Sequence, residues 1–280
     1  MALRRAHALI AALALEGLLA CSGTDTESPF AWRSTVDTVG DTVVVRTLSG
    51  SVWEDTATFE EEVRIGVLDG PDEYILGSVS GVAVTRSGDI YVVDQQVPAV
   101  RKYAPDGTYL GDLGREGGGP GEYRRPESIA ILPDGRMLLR DPGNGRINIY
   151  GPDGGSLTSW RLPAGGTFHT SRPLYVDTAG NTFTMVLLVH DADVTEWTYG
   201  LARYNHAGEI TDTLRVPTWE HGPATITARS EGSSSSNSVP FSPDVAWTYS
   251  RLGYFIGGVS TNYCIDLFRI GEPVLRIERV

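Results

Sequence analysis

Short apolar runs alternate with polar turns along most of the chain, and the pattern recurs after 47 residues. The segments 78–111 and 125–158 align without a gap and are identical at eight positions, including the turn glycines Gly88 and Gly135. The apolar runs are short and rich in β-branched and aromatic side chains, which is typical of strands. A repeat of roughly 40 to 50 residues built from strands and tight turns is the signature of a β-propeller blade.

Each repeat contains four predicted strands. In the first copy they lie at 81–84, 90–93 and 100–103, with a fourth beginning at Tyr109. The dense apolar content of 81–84 predicts a strand that is buried on both faces. Glycines in the turns supply the positive φ that tight turns require. The pattern therefore predicts an all-β fold made of four-stranded antiparallel blades.

Two weaker copies follow the first two. The third covers 172–217 and carries about nine inserted residues around His190–Trp197, and the fourth covers 239–280. The serine-rich run 231–238 between them predicts a flexible loop. With the copies near 78–114 and 125–163, the repeats predict one β-propeller domain over residues 36–280.

The repeat count predicts an incomplete ring. At this spacing four to five blades fit between residue 78 and the C-terminus. The apolar segments 42–46 and 62–67 precede the repeats, and N-terminal strands of this kind commonly complete the last blade of a propeller. Because the chain stops within a strand pattern at 275–280, we expect an open side and self-association through an exposed sheet edge.

The second copy resembles the NHL repeat. The matching residues are Pro126-Glu127-Ser128-Ile129-Ala130, Pro133-Asp134-Gly135, Asp141, Asn144-Gly145-Arg146-Ile147 and Tyr150. The glycine-rich run 114–123 looks like the linker that precedes such repeats. From about Val36 onward the chain is similar to bacterial six-bladed NHL/TolB-like propellers, which are commonly secreted lipoproteins without an assigned activity. In the first copy, Val97 and Ala99 stand where the motif has Asn and Arg.

The first 20 residues predict a lipoprotein signal peptide. A positive start at Arg4-Arg5 precedes an apolar run at 6–15, and Leu18-Leu19-Ala20-Cys21 resembles a lipobox, although Glu16 interrupts the apolar region. Cleavage would leave Cys21 as the lipid-attachment residue, so the predicted location is the bacterial cell envelope, with the membrane as a partner. The serine after it favours the outer membrane. A plain secretory peptide and an uncleaved membrane anchor are the alternatives to the lipoprotein signal. Residues 21–35 are predicted to form a polar tether.

The net charge limits the classes of partner that are expected, and the cysteine content limits the disulfides. The net charge is −12 at pH 7, and removal of the signal brings it to about −13. An acidic chain repels phosphate backbones, so no nucleic-acid partner is expected. With Cys21 lipidated, Cys264 is the one remaining thiol, which leaves no intramolecular disulfide and predicts a buried apolar residue.

Seven residues are candidates for a ligand-binding face: Asp94, Asp141, Arg115, Arg124, Arg125, His169 and Arg172. The two aspartates end equivalent second strands. There they either accept hydrogen bonds from turn amides and anchor neighbouring blades, or form part of a ring of ligands around the central channel. The arginines beside the glycine-rich run are suited to a carboxylate or phosphate. His169 and Arg172 come just before the third blade.

No cofactor or metal is predicted. The run 117–121 lacks the Lys-Ser/Thr of a phosphate-binding loop, so it is interpreted as a connector between blades. The carboxylates in 191–196 lack the glycine and distant glutamate of an EF-hand loop. The four histidines after the signal lack the spacing of metal ligands.

Three functions fit these features. The leading hypothesis is a surface-anchored propeller without catalytic activity that binds an unknown protein, peptide or small molecule on one rim, because propellers are scaffolds whose loops carry recognition. The alternative is a metal-dependent enzyme that resembles gluconolactonase-like or lyase propellers. The third hypothesis is a purely structural envelope protein.

Overall fold

The computed structural model describes residues 31–52, 58–163, 173–189, 198–219, 224–230, 233–269 and 271–280. Within these residues the regular structure is β-strand, apart from one 3₁₀ turn at Asp72–Tyr74. This confirms the predicted all-β fold. Cys21, His169 and Arg172 lie outside the described residues, as does the predicted insertion at 190–197.

An antiparallel hairpin comes first, formed by β1 (Arg33–Val39) and β2 (Thr42–Ser49). The strand predicted at 62–67 does not form. Side chains from this segment lie instead over the turn that ends at Gly107, where an added Cβ would come within 3.0 Å of Val63 Cγ2 and 3.6 Å of Ile65 Cγ1. The segment packs on a sheet rather than pairing with a sheet edge, which explains why its apolar residues do not produce a strand.

Blades 1 and 2 follow the predicted repeat. Blade 1 consists of β3 (Val79–Val84), β4 (Ile90–Asp94), β5 (Ala99–Tyr103) and β6 (Tyr109–Asp112). A connector with the two-residue strands β7 (Arg115–Glu116) and β8 (Glu122–Tyr123) leads to blade 2. Blade 2 consists of β9 (Ser128–Ile131), β10 (Met137–Asp141), β11 (Arg146–Tyr150) and β12 (Ser156–Arg161). In each blade successive strands pair antiparallel.

The prediction that 81–84 is buried on both faces is wrong. Val82 is 56% exposed and Val84 is 58% exposed. Only the alternate residues face blade 2: Ala83 packs against the cluster between the blades, and an added Cβ on Gly81 would lie 3.2 Å from Ser128 Cα. The continuous apolar run could not reveal that one of its two faces meets no other blade in the described part of the chain.

Blade 3 consists of β13 (Leu174–Val176), β14 (Thr182–Val189), β15 (Thr198–Tyr204) and β16 (Ile210–Arg215). A separate hairpin follows, with β17 (Thr225–Ser230) paired to β18 (Ser233–Ser238). This corrects the prediction of a flexible loop for residues 233–238, while residues 231 and 232 lie outside the described residues. The serines of β18 pair with β17 through backbone hydrogen bonds, and such bonds do not require apolar side chains.

Blade 4 is part of a six-stranded sheet. Its own strands are β19 (Val245–Tyr249), β20 (Phe255–Val259), β21 (Cys264–Arg269) and β22 (Glu272–Arg279). The N-terminal β2 pairs in parallel with β22, so the order is β1-β2-β22-β21-β20-β19. Arg46 Nε donates to Glu278 Oε1 at 2.6 Å across this junction. The segment 275–280 is therefore not itself an exposed sheet edge, because the N-terminal hairpin covers it and leaves β1 at the edge, while self-association stays a prediction.

Three apolar clusters hold successive blades together. Tyr91, Val93, Met137 and Leu139 belong to the cluster between blades 1 and 2. Leu138, Trp160, Leu174 and Tyr204 belong to the cluster between blades 2 and 3, and Phe183, Leu201, Tyr249 and Phe255 to that between blades 3 and 4. No such cluster joins blade 4 to blade 1 within the described ranges, in agreement with an incomplete propeller.

A tyrosine fastens each of the first three blades to the chain segment before it. Tyr103, Tyr150 and Tyr204 end the third strands of their blades. Their hydroxyls donate to the backbone carbonyls of Glu73 at 2.6 Å, Gly121 at 3.1 Å and Arg161 at 3.0 Å. Burial raises the pKa of Tyr103 and of Tyr204 to about 12, so both hydroxyls keep their protons at neutral pH.

Candidate ligand-binding site

The blades present two different ends. The connector end carries the turns between second and third strands, together with the links between blades. The hairpin end carries the turns from first to second strand and from third to fourth strand. Of the predicted ligand-face residues, the five that the structure describes lie at the connector end.

Asp94 and Asp141 are fully buried at that end. Asp94 accepts hydrogen bonds from the backbone N–H groups of Gly77, Ser78 and Gln96 at 2.8 to 3.0 Å. Burial opposes its ionisation, but these amides outweigh burial and lower the pKa of Asp94 below its usual value. Asp141 accepts from the amides of Arg124 and Arg125. Both carboxylates thus join the entry of a blade to its own second strand.

The glycine-rich run forms a loop between blades 1 and 2. Arg115 bonds to Glu122 at 2.7 Å and so closes the loop. On its inner side, Arg146 Nη2 donates to the carbonyls of Gly119 at 2.6 Å and Glu122 at 2.9 Å. Asn144 Nδ2 donates to the carbonyl of Gly117 at 2.9 Å. The Asn and Arg of the NHL-like motif therefore hold the connector in place.

The remaining connector-end arginines differ in their surroundings. Arg125 Nε lies 3.5 Å from Glu127 Oε1, and the buried Arg140 also pairs with Glu127. Arg124 is exposed and lies beside the glycine-rich loop, with its Nη2 3.4 Å from the position of a Cβ on Gly118. The structure thus brings Arg124, Arg125 and Asp141 together, while Asp94 lies in the neighbouring blade.

The hairpin end contains a cavity of about 340 Å³ between blades 3 and 4. Three aromatic rings line it, with centroids 4.8 Å apart for Phe183 and Tyr249 and 4.9 Å apart for Tyr249 and Phe255. Three arginines and two aspartates complete the charged part of the lining: Arg203, Arg251, Arg269, Asp177 and Asp212. An apolar wall with a few converging polar groups is typical of small-molecule sites.

A second cavity of about 760 Å³ adjoins the first turns of blades 1 and 2. Its walls include Val84, Ile131 and Met137, and Arg251 of blade 4 lines it as well. Arg251 therefore faces both cavities. The turn that carries it is closed by Gly253 N donating to Ser250 O at 3.0 Å.

The described residues provide no preformed metal site and no membrane-spanning helix. No group of three or more His, Cys, Asp or Glu side chains lies close enough to hold a metal ion in the part of the chain that the structure describes. No helix in that part is long and apolar enough to cross a bilayer. Cys264 is a free, partly buried thiol, and burial raises its pKa.

The sequence did not point to the arginines of the hairpin end. Arg203 lies in β15, Arg251 in a turn and Arg269 at the end of β21, so each is separated from the others by at least 18 residues. Only the turn position of Arg251 offered a signal, because Arg86 occupies the same place in the corresponding turn of blade 1. Their convergence depends on the packing of blade 3 against blade 4.

Comparisons with known proteins identify no family for this chain. No protein-family model and no curated protein matches the chain. A candidate exported protein of Bacteroides fragilis is 15% identical, with a TM-score of 0.48 over 77% of this chain and 55% of that one. Virginiamycin B lyase from Staphylococcus aureus is 12% identical, with a TM-score of 0.41 over 72% and 70%. A Xanthomonas campestris gluconolactonase is 15% identical, with a TM-score of 0.37 over 71% and 75%.

Proposed function

We propose that this chain is a binding scaffold of the bacterial cell envelope, lipid-anchored at Cys21, that recognises its ligand at the hairpin end. The supporting observation is the pair of cavities that share Arg251. Together they present guanidinium groups beside aromatic and aliphatic walls, which is the composition of a recognition site. The buried rings of blades 3 and 4 beneath the smaller cavity supply a rigid support.

The acidic groups nearby are already engaged in structural contacts. Asp177 accepts from Ala179 N at 3.0 Å, Asn181 N at 2.8 Å and Asn181 Nδ2 at 2.7 Å. Asp89, beside the larger cavity, is paired with Lys102 at 2.9 Å. Carboxylates held in this way are poor candidates for proton transfer, which favours binding over catalysis.

Anchoring and recognition are tested separately. Replacing Cys21 with Ser should move the chain from the membrane fraction to a soluble or unprocessed form. Wild-type chain that is recovered soluble, with an intact N-terminus, would contradict the lipid anchor.

Recognition is tested by capture from solubilised envelope with the purified chain as bait. Arg251→Ala should reduce the recovery of a specific partner, whereas Arg215→Ala should not, because Arg215 is exposed at the opposite end of blade 3. Arg124→Ala probes the connector end, which is the competing location. If Arg124→Ala alone reduces recovery, recognition belongs to the connector end. If nothing specific is recovered, a purely structural role replaces the proposal.

The metal-dependent enzyme remains the alternative function. Its test is elemental analysis of the purified chain after dialysis. About one equivalent of a divalent metal per chain, retained against dialysis, would favour the enzyme, since a resident ion is the requirement of that mechanism.

A further inference from the structure

Three arginines at the cavity between blades 3 and 4 have no carboxylate partner among the residues that the structure describes. Arg203, Arg251 and Arg269 form no ion pair with any residue that the structure describes. Arg203 is partly buried, and its Nε is a buried donor without a hydrogen-bond partner. Buried donors are almost always satisfied in folded proteins, so this guanidinium nitrogen beside the cavity is open to an acceptor that enters it.

Contacts restrain the side chain of Arg269 and the backbone turn that carries Arg251. Arg269 lies over the ring of Tyr254, with its Cζ 5.5 Å from the ring centroid. Arg251 belongs to the turn whose carbonyl accepts from Thr178 N at 3.0 Å, a bond that fixes this turn against blade 3. A charged group that is restrained before binding loses less conformational entropy when the ligand arrives.

The local charge is opposite in sign to that of the whole chain. The chain carries a net charge of −12, while three arginines and two aspartates line this cavity. Asp177 is neutralised in part by three N–H donors, and Asp212 is exposed. Arg203 and Arg269 oppose the rise that burial and Asp177 cause in the pKa of Tyr249, as expected for cations next to that ring.

We propose that this cavity binds the oxyanion of a small organic acid or phosphate compound. Guanidinium groups recognise carboxylate and phosphate oxygens through paired hydrogen bonds. A volume of about 340 Å³ admits a small molecule, and the buried rings of Phe183 and Tyr249 form part of the cavity wall. This inference rests on the proposed binding function and names the chemistry of its ligand.

The test is calorimetric titration of the purified full-length chain with inorganic phosphate and, separately, with succinate. Sodium chloride at matched ionic strength controls for screening. We expect saturable binding of at least one anion and a loss of about tenfold or more in affinity for Arg251→Ala and Arg269→Ala, since each removes charge-assisted hydrogen bonds. Arg215→Ala should bind as the wild type does. Comparison of the two anions distinguishes a phosphate site from a carboxylate site.

Arg203→Gln tests the buried donor, and circular dichroism checks that this variant is folded. Because Arg251 lies on an exposed turn, its variant tests the site even if Arg203→Gln does not fold. The proposal is overturned if neither anion binds, or if affinity is unchanged in both Arg251→Ala and Arg269→Ala. If an anion binds but no envelope partner is captured, the proposed scaffold role fails and the anion site stands. If an envelope partner is captured but no anion binds, the anion site fails and the scaffold role stands.

Discussion

At the scale of single residues, the repeated positions serve the structure. Asp94 and Asp141 are identical in the aligned repeats, and each accepts backbone hydrogen bonds where the chain enters its blade. Their repeated spacing within the chain was visible in the sequence, and an anchoring role was expected between neighbouring blades, whereas each aspartate anchors the entry of its own blade. The amides that they contact could not be identified from the sequence, because those donors lie 16 or 17 residues away.

Replacing Asp94 with Asn should lower the free energy of unfolding at pH 7 by about 1–3 kcal/mol, since a buried charged acceptor is lost. The pKa of Asp94 is lowered in the folded chain. Its contribution to the free energy of unfolding is therefore complete above the unfolded pKa of about 3.9, and it is lost as the pH falls through the folded pKa. Urea unfolding at neutral and acidic pH should therefore show the difference between variant and wild type shrinking on acidification. The exposed Asp69→Asn is the control, and a difference that is independent of pH would contradict this account.

Gly135→Val should destabilise the chain by about 1–3 kcal/mol, because a β-branched residue adopts positive φ only at a cost. Gly135 has φ +87°, and an added Cβ would meet Pro152 Cγ at 3.4 Å, an ordinary contact, so the strain lies in the backbone. Asparagine tolerates the left-handed region better, so Gly135→Asn should lose less stability. Equal shifts of the urea midpoint for Val and Asn would show that the backbone is not the cause.

At the scale of elements, the sequence predicted the strands better than the contacts between distant strands and between blades. Internal repetition identified the four-stranded blades, because every copy carries the same succession of apolar runs and turn glycines. The segment 42–46 was expected to complete the last blade, and β2 does pair there with β22, but repetition could not give the register of a pairing that joins residues more than 200 positions apart. For the same reason the arginines of the hairpin end were missed, as their convergence is a property of packed blades.

The hairpin of β1 and β2 should prevent association through β22. Val44 is 4% exposed and lies in β2, which pairs with a strand on each side. Proline lacks the N–H that such a strand needs, so Val44→Pro should release the hairpin and expose β22. Light scattering after size exclusion should then detect larger assemblies than for the wild type. Val36→Ala, at a 65% exposed position on the edge strand β1, should behave as the wild type. An unchanged mass for Val44→Pro would show that the hairpin does not protect this edge.

At the scale of the whole molecule, acidity and local positive charge coexist. A net charge of −12 spread over the chain sets its long-range behaviour, while the three arginines between blades 3 and 4 act only at short range. Small anions can reach such a site, whereas a polyanion must also approach the acidic surface around it. We therefore expect the proposed site to favour compact acidic ligands over long ones.

The chain should bind neither RNA nor DNA tightly at physiological ionic strength. Anisotropy of short labelled RNA and DNA measures this directly, with salt varied to detect counterion release. A dissociation constant below about 1 µM that weakens steeply with added salt would contradict the prediction, because it requires a basic surface.

The tyrosines that fasten each blade to the preceding segment have a consequence for how such proteins change over evolutionary time. Tyr103, Tyr150 and Tyr204 each reach only one step back along the chain. A duplicated unit that includes such a tyrosine and the segment before it would carry its own fastening and leave the earlier ones in place. We therefore expect chains built in this way to differ in length by whole blades.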